Sequence, residues 1–170
     1  MTDPFERCRI FGINLCVADL EGAVSYVAEN AAALQGKYIC FCNVHTAVTA
    51  RSDRYFLEAE NGAASTFPDG KPLAEEEKKR GFGHARRVAG PDFMAAFFRM
   101  SLKAGLSHFF YGASQETLDA LKKALLKNYP GIDISGMYSP PFRQLSDGED
   151  AEAVKMINDA KPDIVWVGLG

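Results

Sequence analysis

Asp69 is the side chain whose type and position best suit it to act as a general base. It stands in the triplet Pro68-Asp69-Gly70, directly after an apolar segment that weakly favours a strand. In an open α/β sheet, ligands bind beyond the carboxyl ends of the strands. A carboxylate at such a place can take the proton of an attacking hydroxyl group. The same triplet is also typical of a plain turn, so the residues alone leave both interpretations open.

Two adjacent arginines, Arg86 and Arg87, precede a segment that favours the start of a helix. A planar guanidinium can bind a diphosphate through two hydrogen bonds, and it can stabilise the charge that develops on a leaving phosphate group. Solvation of both side chains at the surface is the alternative interpretation.

Residues 110–114, with the sequence Phe-Tyr-Gly-Ala-Ser, predict a strand that runs into a turn of small residues and then a helix. Such a turn lets the backbone approach a phosphate group closely at a helix N-terminus. The complete glycine fingerprint of a dinucleotide-binding or P-loop motif is missing, so an ordinary tight turn fits equally well. The strand-end rule selects five loops in all: residues 43–46, 68–70, 112–114, 138–142 and 168–170.

The histidines do not have the spacing of a metal site. His45, His84 and His108 lie far apart in sequence, and His108 falls inside a predicted strand, which favours a structural role. The sequence also has no Asp-x-Asp pair of the kind that holds a divalent ion against a nucleotide sugar. We therefore expect no metal and no other cofactor.

The apolar spacing in the first half predicts the elements that position these loops. Residues 13–17 alternate as one arm of a hairpin, and Asp19 is a predicted N-cap for a helix over about residues 20–34. Residues 38–42 predict a buried strand, and 63–67 a weaker one. Residues 71–87 predict a loop or a short mobile helix, in which the charged run 75–80 forms a solvated helix face.

The second half predicts a regular alternation of strands and helices. A helix follows Asp92, strands are expected at 107–111, 132–137 and 162–169, and a helix carries Leu118 and Leu125. Ser146 and Glu149 predict a capping box at the start of a further helix. This order indicates an α/β, Rossmann-like fold with a mostly parallel sheet, helices on both faces and an N-terminal hairpin.

Composition limits the classes of partner. The chain has 170 residues and a formal net charge of -3, which predicts a single domain over residues 1–170 without overall attraction to nucleic acid. Residues 1–9 are polar, and no apolar run reaches the length of a membrane span. The four cysteines predict buried free thiols and a reducing, cytoplasmic location.

Taken in order, several segments resemble the WecG/TagA/CpsF glycosyltransferases, family 26, from about residue 10 to the end. The matching segments are Asn43 after a buried strand, Pro68-Asp69-Gly70, Arg87-Val88-Ala89-Gly90 with Asp92, the Phe-Tyr-Gly-Ala turn, Ser139-Pro140-Pro141-Phe142, Pro162-Asp163-Ile164 and Val167-Gly168-Leu169-Gly170. The resemblance implies an inverting enzyme that moves N-acetylmannosamine or a related sugar. The donor would be a UDP sugar, and the acceptor an undecaprenyl-diphosphate-linked saccharide of a cell-surface polymer such as wall teichoic acid.

The resemblance also implies roles for individual residues. Asp69 would be the general base, and Arg87 would contact the donor diphosphate or leaving group. Asn43 would position the sugar or acceptor. The remaining residues implied to bind substrate are Thr46, Gly70, Gly112, Ala113, Tyr138 and Gly168. An inverting transfer is a single displacement that needs one base and a stabilised leaving group.

The sequence departs from the family pattern at two places. Phe41 stands where the family usually has Thr, which removes a hydroxyl group from the expected site. The family also continues beyond the Val-Gly-Leu-Gly segment with an appendage that supplies active-site groups and membrane contact. We therefore expect a core without that appendage, at the inner face of the cell membrane, with apolar surface that a second copy could cover.

Two other functions stay open at this stage. The first is a nucleotide-sugar-binding domain that has lost transfer activity. The second is a generic nucleotide-dependent dehydrogenase, although the sequence has no glycine fingerprint after its first strand.

Overall fold

The computed structural model describes residues 4–169, and its contacts divide the chain into two compact units, Met1–Phe97 and Phe98–Gly170. Residues 1–3 of the predicted polar N-terminus and Gly170 of the predicted 168–170 loop lie outside the described residues. The prediction of one domain over residues 1–170 stays a prediction.

The first unit begins with an antiparallel hairpin of β1 (Glu6–Ile10) and β2 (Ile13–Val17). Phe11 and Gly12 form its turn with positive φ angles of 49° and 91°, the backbone that a tight two-residue hairpin loop requires. Apolar side chains of both strands are buried. Sequence analysis expected only the second arm, because residues 6–10 alternate charged and apolar residues over too short a length to stand out.

Helix α1 (Leu20–Glu29) follows the hairpin, with Asp19 as its N-cap. The Asp19 carboxylate accepts a hydrogen bond from the Gly22 backbone N–H at 2.8 Å, as expected. The predicted end near residue 34 is wrong. Asn30 is the C-cap, because its φ and ψ angles of -112° and 14° depart from helical values, and its side-chain amide donates to the Tyr26 carbonyl.

The rest of the first unit contains a parallel pair of strands. These are β3 (Ile39–Cys42) and β4 (Ser65–Pro68), and between them lie α2 (Val44–Ser52) and α3 (Arg54–Gly62). Helix α4 (Lys71–Lys79) follows β4, so the region 71–87 contains the short helix that was one of its two expected forms. The sequence did not predict α3.

The expectation that the charged run 75–80 is solvated is wrong for Glu77, which is fully buried. Neither carboxylate oxygen of Glu77 has a hydrogen-bond partner within the described part of the chain, and burial raises the pKa of this group to about 7.

Helix α5 (Gly90–Ala104) leads from the first unit into the second, where strands and helices alternate. The elements of the second unit are β5 (Ser107–Gly112), α6 (Gln115–Asn128), β6 (Asp133–Tyr138), α7 (Asp147–Ala160) and β7 (Ile164–Gly168). Its strands form a parallel sheet in the order β6-β5-β7. The capping box predicted for Ser146 and Glu149 is confirmed.

The predicted fold class is confirmed. Among residues 4–169, strands β3 to β7 pair in parallel and alternate with helices, whereas β1 and β2 form the N-terminal hairpin. This arrangement is consistent with a Rossmann-like fold. None of the helices in residues 4–169 combines the length and apolar character that crossing a bilayer requires.

Candidate functional site

In the first unit, the predicted site residues Asn43 and Asp69 follow neighbouring strand ends. Cys42 and Pro68 are register partners at the ends of β3 and β4, so the next residue of each strand is Asn43 or Asp69. The Asp69 backbone N–H donates to the Cys42 carbonyl at 2.7 Å. The parallel register therefore brings an amide and a carboxylate to the same edge of the strand pair.

Asn43 and Thr46 shape the start of α2 through a reciprocal capping box. The Asn43 side chain accepts from the Thr46 backbone N–H at 3.0 Å, and the Thr46 hydroxyl accepts from the Asn43 backbone N–H at 2.9 Å. Both polar side chains therefore have a structural role in ending the loop after β3. Their predicted role in substrate binding stays a prediction.

Arg87 lies beside the same strand end. The backbone N–H of Val88, the next residue, donates to the Pro68 carbonyl at 2.9 Å. The Arg87 guanidinium forms an ion pair with Asp92 at 2.8 Å, and both side chains are about half exposed. An exposed ion pair of this kind contributes little to the free energy of unfolding. Its main effect is therefore to orient the Arg87 guanidinium.

The neighbouring Arg86 has a different set of contacts. Its guanidinium donates to the carbonyls of Gly83 and Ala85 at 3.2 and 2.8 Å, and its backbone N–H donates to the Ala18 carbonyl. Arg86 therefore holds the loop that precedes α5. Of the two arginines, Arg87 is the one whose side chain is not bonded to its own loop.

Gly70 and Phe41 complete the surroundings of this edge. Gly70 is the N-cap of α4, and a Cβ added to it would make only ordinary contacts at 3.6 and 4.0 Å. Steric crowding therefore does not explain the glycine. The Phe41 ring packs against Phe67 and Phe93, with centroid distances of 6.1 and 5.1 Å. An aromatic cluster thus occupies the position where the family pattern has a hydroxyl group.

The thiols near this edge are poor nucleophiles. The four cysteines carry thiols rather than disulfides, and Cys8, Cys16 and Cys42 are buried while Cys40 is half-buried. Burial raises the pKa of Cys42 to about 11. Burial, followed by the nearby Glu60 charge, raises the pKa of Cys40 to about 12. Both groups are therefore protonated at neutral pH, which fits the predicted role as packing thiols.

In the second unit, four predicted site residues gather at the carboxyl ends of the parallel strands. They are Gly112, Ala113, Tyr138 and Gly168. Gly112 and Gly168 are register partners, and the Ala113 backbone N–H donates to the Gly168 carbonyl at 3.0 Å. The turn after β5 is therefore fastened to the end of β7.

Gly112 cannot be replaced without strain. Its φ angle is +122°, and a Cβ at this position would lie 2.2 Å from the Gly168 carbonyl oxygen. Ala113 also has a positive φ of 58°, after which Ser114 caps α6 by accepting from the Thr117 backbone N–H. The close approach of two backbones and the sharp turn together explain why glycine stands here.

Aromatic rings lie beside this turn. Tyr111 and Tyr138 are register partners whose rings stack with a centroid distance of 6.0 Å and an interplanar angle of 26°. The Ser139 hydroxyl donates to the Ala113 carbonyl at 2.7 Å, which joins the loop after β6 to the turn after β5. Sequence analysis did not single out Tyr111, and only its place at a strand end could have indicated it.

The structural role predicted for His108 is confirmed. The ring is fully buried, its Nδ1 accepts from the Trp166 indole N–H at 3.1 Å, and its Nε2 lies 2.8 Å from the Ser101 hydroxyl. Because indole can only donate, the proton of the neutral ring sits on Nε2. Burial lowers the His108 pKa to about 4.

The other histidines and acids do not assemble into a metal-binding group. His84 lies 3.5 Å from the exposed Glu6 carboxylate, and within residues 4–169 no three His, Cys, Asp or Glu side chains are grouped to hold a metal ion. Metal-independent chemistry stays a prediction.

A model of the glycosyl transferase WecG/TagA/CpsF family matches residues 8–170, and the chain belongs to this family. The resemblance seen in the sequence is therefore confirmed.

Two bacterial relatives share the name N-acetylglucosaminyldiphosphoundecaprenol N-acetyl-beta-D-mannosaminyltransferase. The protein of Staphylococcus aureus (strain NCTC 8325 / PS 47) is 26% identical over 133 residues, covering 78% of this chain and 50% of the relative. The protein of Bacillus spizizenii (strain ATCC 23059 / NRRL B-14472 / W23) is 25% identical over 146 residues, covering 86% of this chain and 53% of the relative. The chain thus spans about half the length of the curated relatives it matches.

Proposed function

We propose that this chain is the core of an inverting glycosyltransferase in cell-surface polymer synthesis. It would move N-acetylmannosamine or a related sugar from a UDP donor to an undecaprenyl-diphosphate-linked saccharide, at the inner face of the cell membrane. Family membership and the names of the relatives support the reaction class, the sugar and the lipid-linked acceptor. The UDP donor and the site of action rest on the family resemblance.

The proposal rests above all on the strand edge that carries Asn43 and Asp69. Here the backbone bonds Asp69 to Cys42 and Val88 to Pro68, so the segments that carry the carboxylate, the amide and Arg87 are joined within a few residues. In the proposed reaction, the Asp69 carboxylate takes the proton of the acceptor hydroxyl as that oxygen attacks the anomeric carbon. The new glycosidic bond forms as the bond to the diphosphate breaks.

Arg87 is proposed to stabilise the leaving diphosphate. Its guanidinium donors can bind two phosphate oxygens at once, and its charge opposes the charge that develops as UDP departs. In the free protein, Asp92 holds this guanidinium with a hydrogen bond of 2.8 Å. When substrate binds, the Arg87 guanidinium would therefore either leave Asp92 for the diphosphate or bond to both. No metal is assigned to the step.

The strand edge of the second unit is proposed to bind the nucleotide part of the donor. The turn at Gly112 and Ala113 leads into the N-terminus of α6, where backbone N–H groups can hold an anion. Tyr138 and Gly168 border the same turn. The recognition would thus use backbone groups and ring faces rather than charged side chains.

Binding of the donor is the first test. UDP should raise the melting temperature of the chain, because a ligand that binds only the folded state stabilises it. NAD, offered at the same concentration, should give no shift. A shift with NAD and none with UDP or UDP sugars would contradict the proposal and favour a dehydrogenase.

Transfer is the second test, with Asp69→Asn as the decisive variant. We expect release of UDP in the presence of a lipid-diphosphate N-acetylglucosamine acceptor, and a decrease of roughly 10²- to 10⁴-fold in the variant, because the base is lost. UDP binding should be unchanged.

Asp119→Asn, an exposed carboxylate on α6, is the matched control and should transfer at the wild-type rate. Equal rates for wild type and Asp69→Asn would remove Asp69 from its proposed role. Binding of UDP by the wild type without any transfer would instead identify a nucleotide-sugar-binding domain.

A further inference from the structure

The second unit has a cavity at the end of its sheet where the strands begin. The cavity is an open cleft with a volume of about 480 Å³. Clefts of roughly 300 to 1,000 Å³ are large enough to hold a small organic ligand. The lining residues come from the end of α5 and from the end of α6 with the turn that follows it: Arg99, Leu102, Asn128, Tyr129 and Pro130.

This cavity is separate from the proposed nucleotide site. Tyr129 and Pro130 precede β6, whereas the turn at Gly112 and Ala113 lies at the carboxyl ends of the strands. Strand β6 spans Asp133–Tyr138, so at about 3.3 Å per residue the two edges of this sheet lie roughly 17 Å apart. A small ligand in the cavity would therefore bind without displacing a ligand at the turn.

Two polar side chains of the cavity have no hydrogen-bond partner in the described part of the chain. Arg99 is exposed, and its guanidinium forms neither an ion pair nor a hydrogen bond with residues 4–169. It lies 6.0 Å from the centre of the Tyr129 ring. The side-chain amide of Asn128 also bonds to none of these residues. Several other arginines, in contrast, pair with a carboxylate: Arg54, Arg80, Arg87 and Arg143.

The segments that form the cavity carry positive charge only. Residues 93–106 and 120–132 contain no Asp or Glu, although the whole chain has a formal net charge of -3. Lys103 and Lys127 lie in the last turns of α5 and α6, where a cation stabilises the helix dipole. Arg99 lies before the last turn of α5, so the helix dipole does not account for its charge.

The other walls of the cavity are apolar. Leu102 is exposed on α5, and the Tyr129 ring packs edge-to-face against Phe98 with a centroid distance of 5.3 Å. Pro130 restricts the backbone of the turn that follows. The aromatic ring and the turn are therefore held in place before any ligand binds. A ligand that filled the cavity would remove the exposed Leu102 side chain from water.

We propose that this cavity binds a small organic phosphate. Arg99 would donate two parallel hydrogen bonds to phosphate oxygens, and the Asn128 amide would donate to a third. A carboxylate has only two oxygens, which the guanidinium alone would occupy. The apolar part of the ligand would pack against Leu102 and Tyr129. The proposal concerns a second site and does not depend on the transfer reaction proposed above.

The test is an NMR titration of the full chain with phenyl phosphate, inorganic phosphate and benzoate. Phenyl phosphate should shift the backbone amides of Asn128 and Tyr129 and should bind more tightly than the other two probes. Arg99→Gln should weaken its binding by about ten-fold or more, because a hydrogen bond to a charged group is lost. Saturating UDP should not displace it.

Lys123→Gln is the matched control, because it removes the same charge from an exposed position on α6 that does not line the cavity. Its affinity for phenyl phosphate should equal that of the wild type. Melting temperatures of both variants provide the check on folding.

Four results would overturn the proposal. Equal binding by wild type and Arg99→Gln, or an equal loss in Arg99→Gln and Lys123→Gln, would show that Arg99 does not hold the phosphate. Displacement of phenyl phosphate by UDP would place the probe at the nucleotide turn. Inorganic phosphate that bound as tightly as phenyl phosphate would mean that the apolar walls contribute nothing. Benzoate that bound as tightly would contradict the preference for phosphate.

Discussion

The strand edges of the two units present different chemistry. In the first unit, an amide, a carboxylate and a guanidinium follow the strand ends, as Asn43, Asp69 and Arg87. In the second unit, the corresponding positions are a glycine turn and stacked tyrosine rings. The first edge has side chains that can transfer protons and bind charged groups, whereas the second presents backbone groups and the faces of aromatic rings. The proposed catalysis and the proposed recognition of the donor would therefore depend on different kinds of group.

The buried polar groups of the two units differ in the same way. His108 is satisfied by Trp166 and Ser101, and it is neutral because burial lowers its pKa to about 4. Glu77 is equally buried, yet its oxygens have no partner among residues 4–169. Within residues 4–169, the buried side-chain oxygens without a hydrogen-bond partner belong to Glu60 and Glu77 of the first unit. Burial of such a carboxyl group has a cost that depends on pH.

The largest expected effect comes from a substitution that distorts the strand edge of the second unit. Gly112→Ala should lower the free energy of unfolding by roughly 2 to 5 kcal/mol, because a Cβ collides with the Gly168 carbonyl and φ is positive. UDP affinity should fall with it. Urea unfolding followed by circular dichroism measures the change.

Gly148→Ala, in the same unit, is the control for this substitution. Gly148 lies within α7, and nothing is within 4 Å of an added Cβ. Alanine should therefore stabilise the helix by up to about 1 kcal/mol. If both variants had the same stability, the close approach of Gly112 and Gly168 would not constrain the turn.

The pH dependence of stability sharpens the contrast between the buried groups. Burial raises the Glu77 pKa from 4.5 to about 7, so the folded chain holds this proton more tightly than the unfolded chain. The resulting stabilisation is complete below about pH 4.5 and is lost as the pH rises to 7, a change of up to about 3 kcal/mol. Glu77→Gln should remove this part of the pH dependence.

Urea unfolding between pH 5 and 8 compares the two proteins, with Glu152→Gln on the exposed surface of α7 as the control. The difference in unfolding free energy between wild type and Glu77→Gln should change with pH, while the Glu152→Gln curve should run parallel to wild type. If the Glu77→Gln curve also ran parallel to that of the wild type, the Glu77 carboxyl group of the wild type would be hydrated in the folded chain.

The smallest expected effect concerns the charge at the first edge. Arg87→Ala should reduce transfer by roughly ten- to a hundred-fold, because a hydrogen bond to a charged group contributes about 1.5 to 3 kcal/mol. Stability should fall by less than about 1 kcal/mol, since the pair with Asp92 is half exposed. Steady-state UDP release and thermal unfolding measure the two quantities.

Arg54→Ala is the matched control for Arg87. Arg54 is more exposed than Arg87 and pairs with Glu58 at 2.8 Å along α3. Its loss should leave transfer unchanged. An equal decrease in both variants would indicate a general effect of net charge and would remove Arg87 from the reaction.

Sequence patterns predicted the elements whose signals are local. The N-cap at Asp19 and the capping box of Ser146 and Glu149 depend on residues three positions apart, and both are confirmed. The end of α1 and the presence of α3 were not predicted. The backbone leaves the helical conformation at Asn30, although alanines follow it and favour a longer helix. Helix α3 begins at a cap, Asp53, that directly follows α2.

The strand-end rule predicted which loops carry the candidate site, but the residues alone left the role of each loop open. Pro68-Asp69-Gly70 was also consistent with a plain turn, and Arg87 was preferred to Arg86 only through the family resemblance. The distinction comes from backbone bonds, since Val88 joins Pro68 while the Arg86 side chain bonds to carbonyls of its own loop. The sequence did not predict a role for Tyr111, because its ring stacking with Tyr138 depends on the strand register.

By itself, the sequence determined the alternation of strands and helices, the helix caps and the types of group available at the strand ends. These follow from spacing and from contacts between near neighbours along the chain. Only the tertiary structure decided that Asp69 lies beside Cys42, that Gly112 must be glycine because of Gly168, and that Glu77 is buried within a charged run. Each of these depends on strand register or on packing between distant segments, which no local pattern encodes.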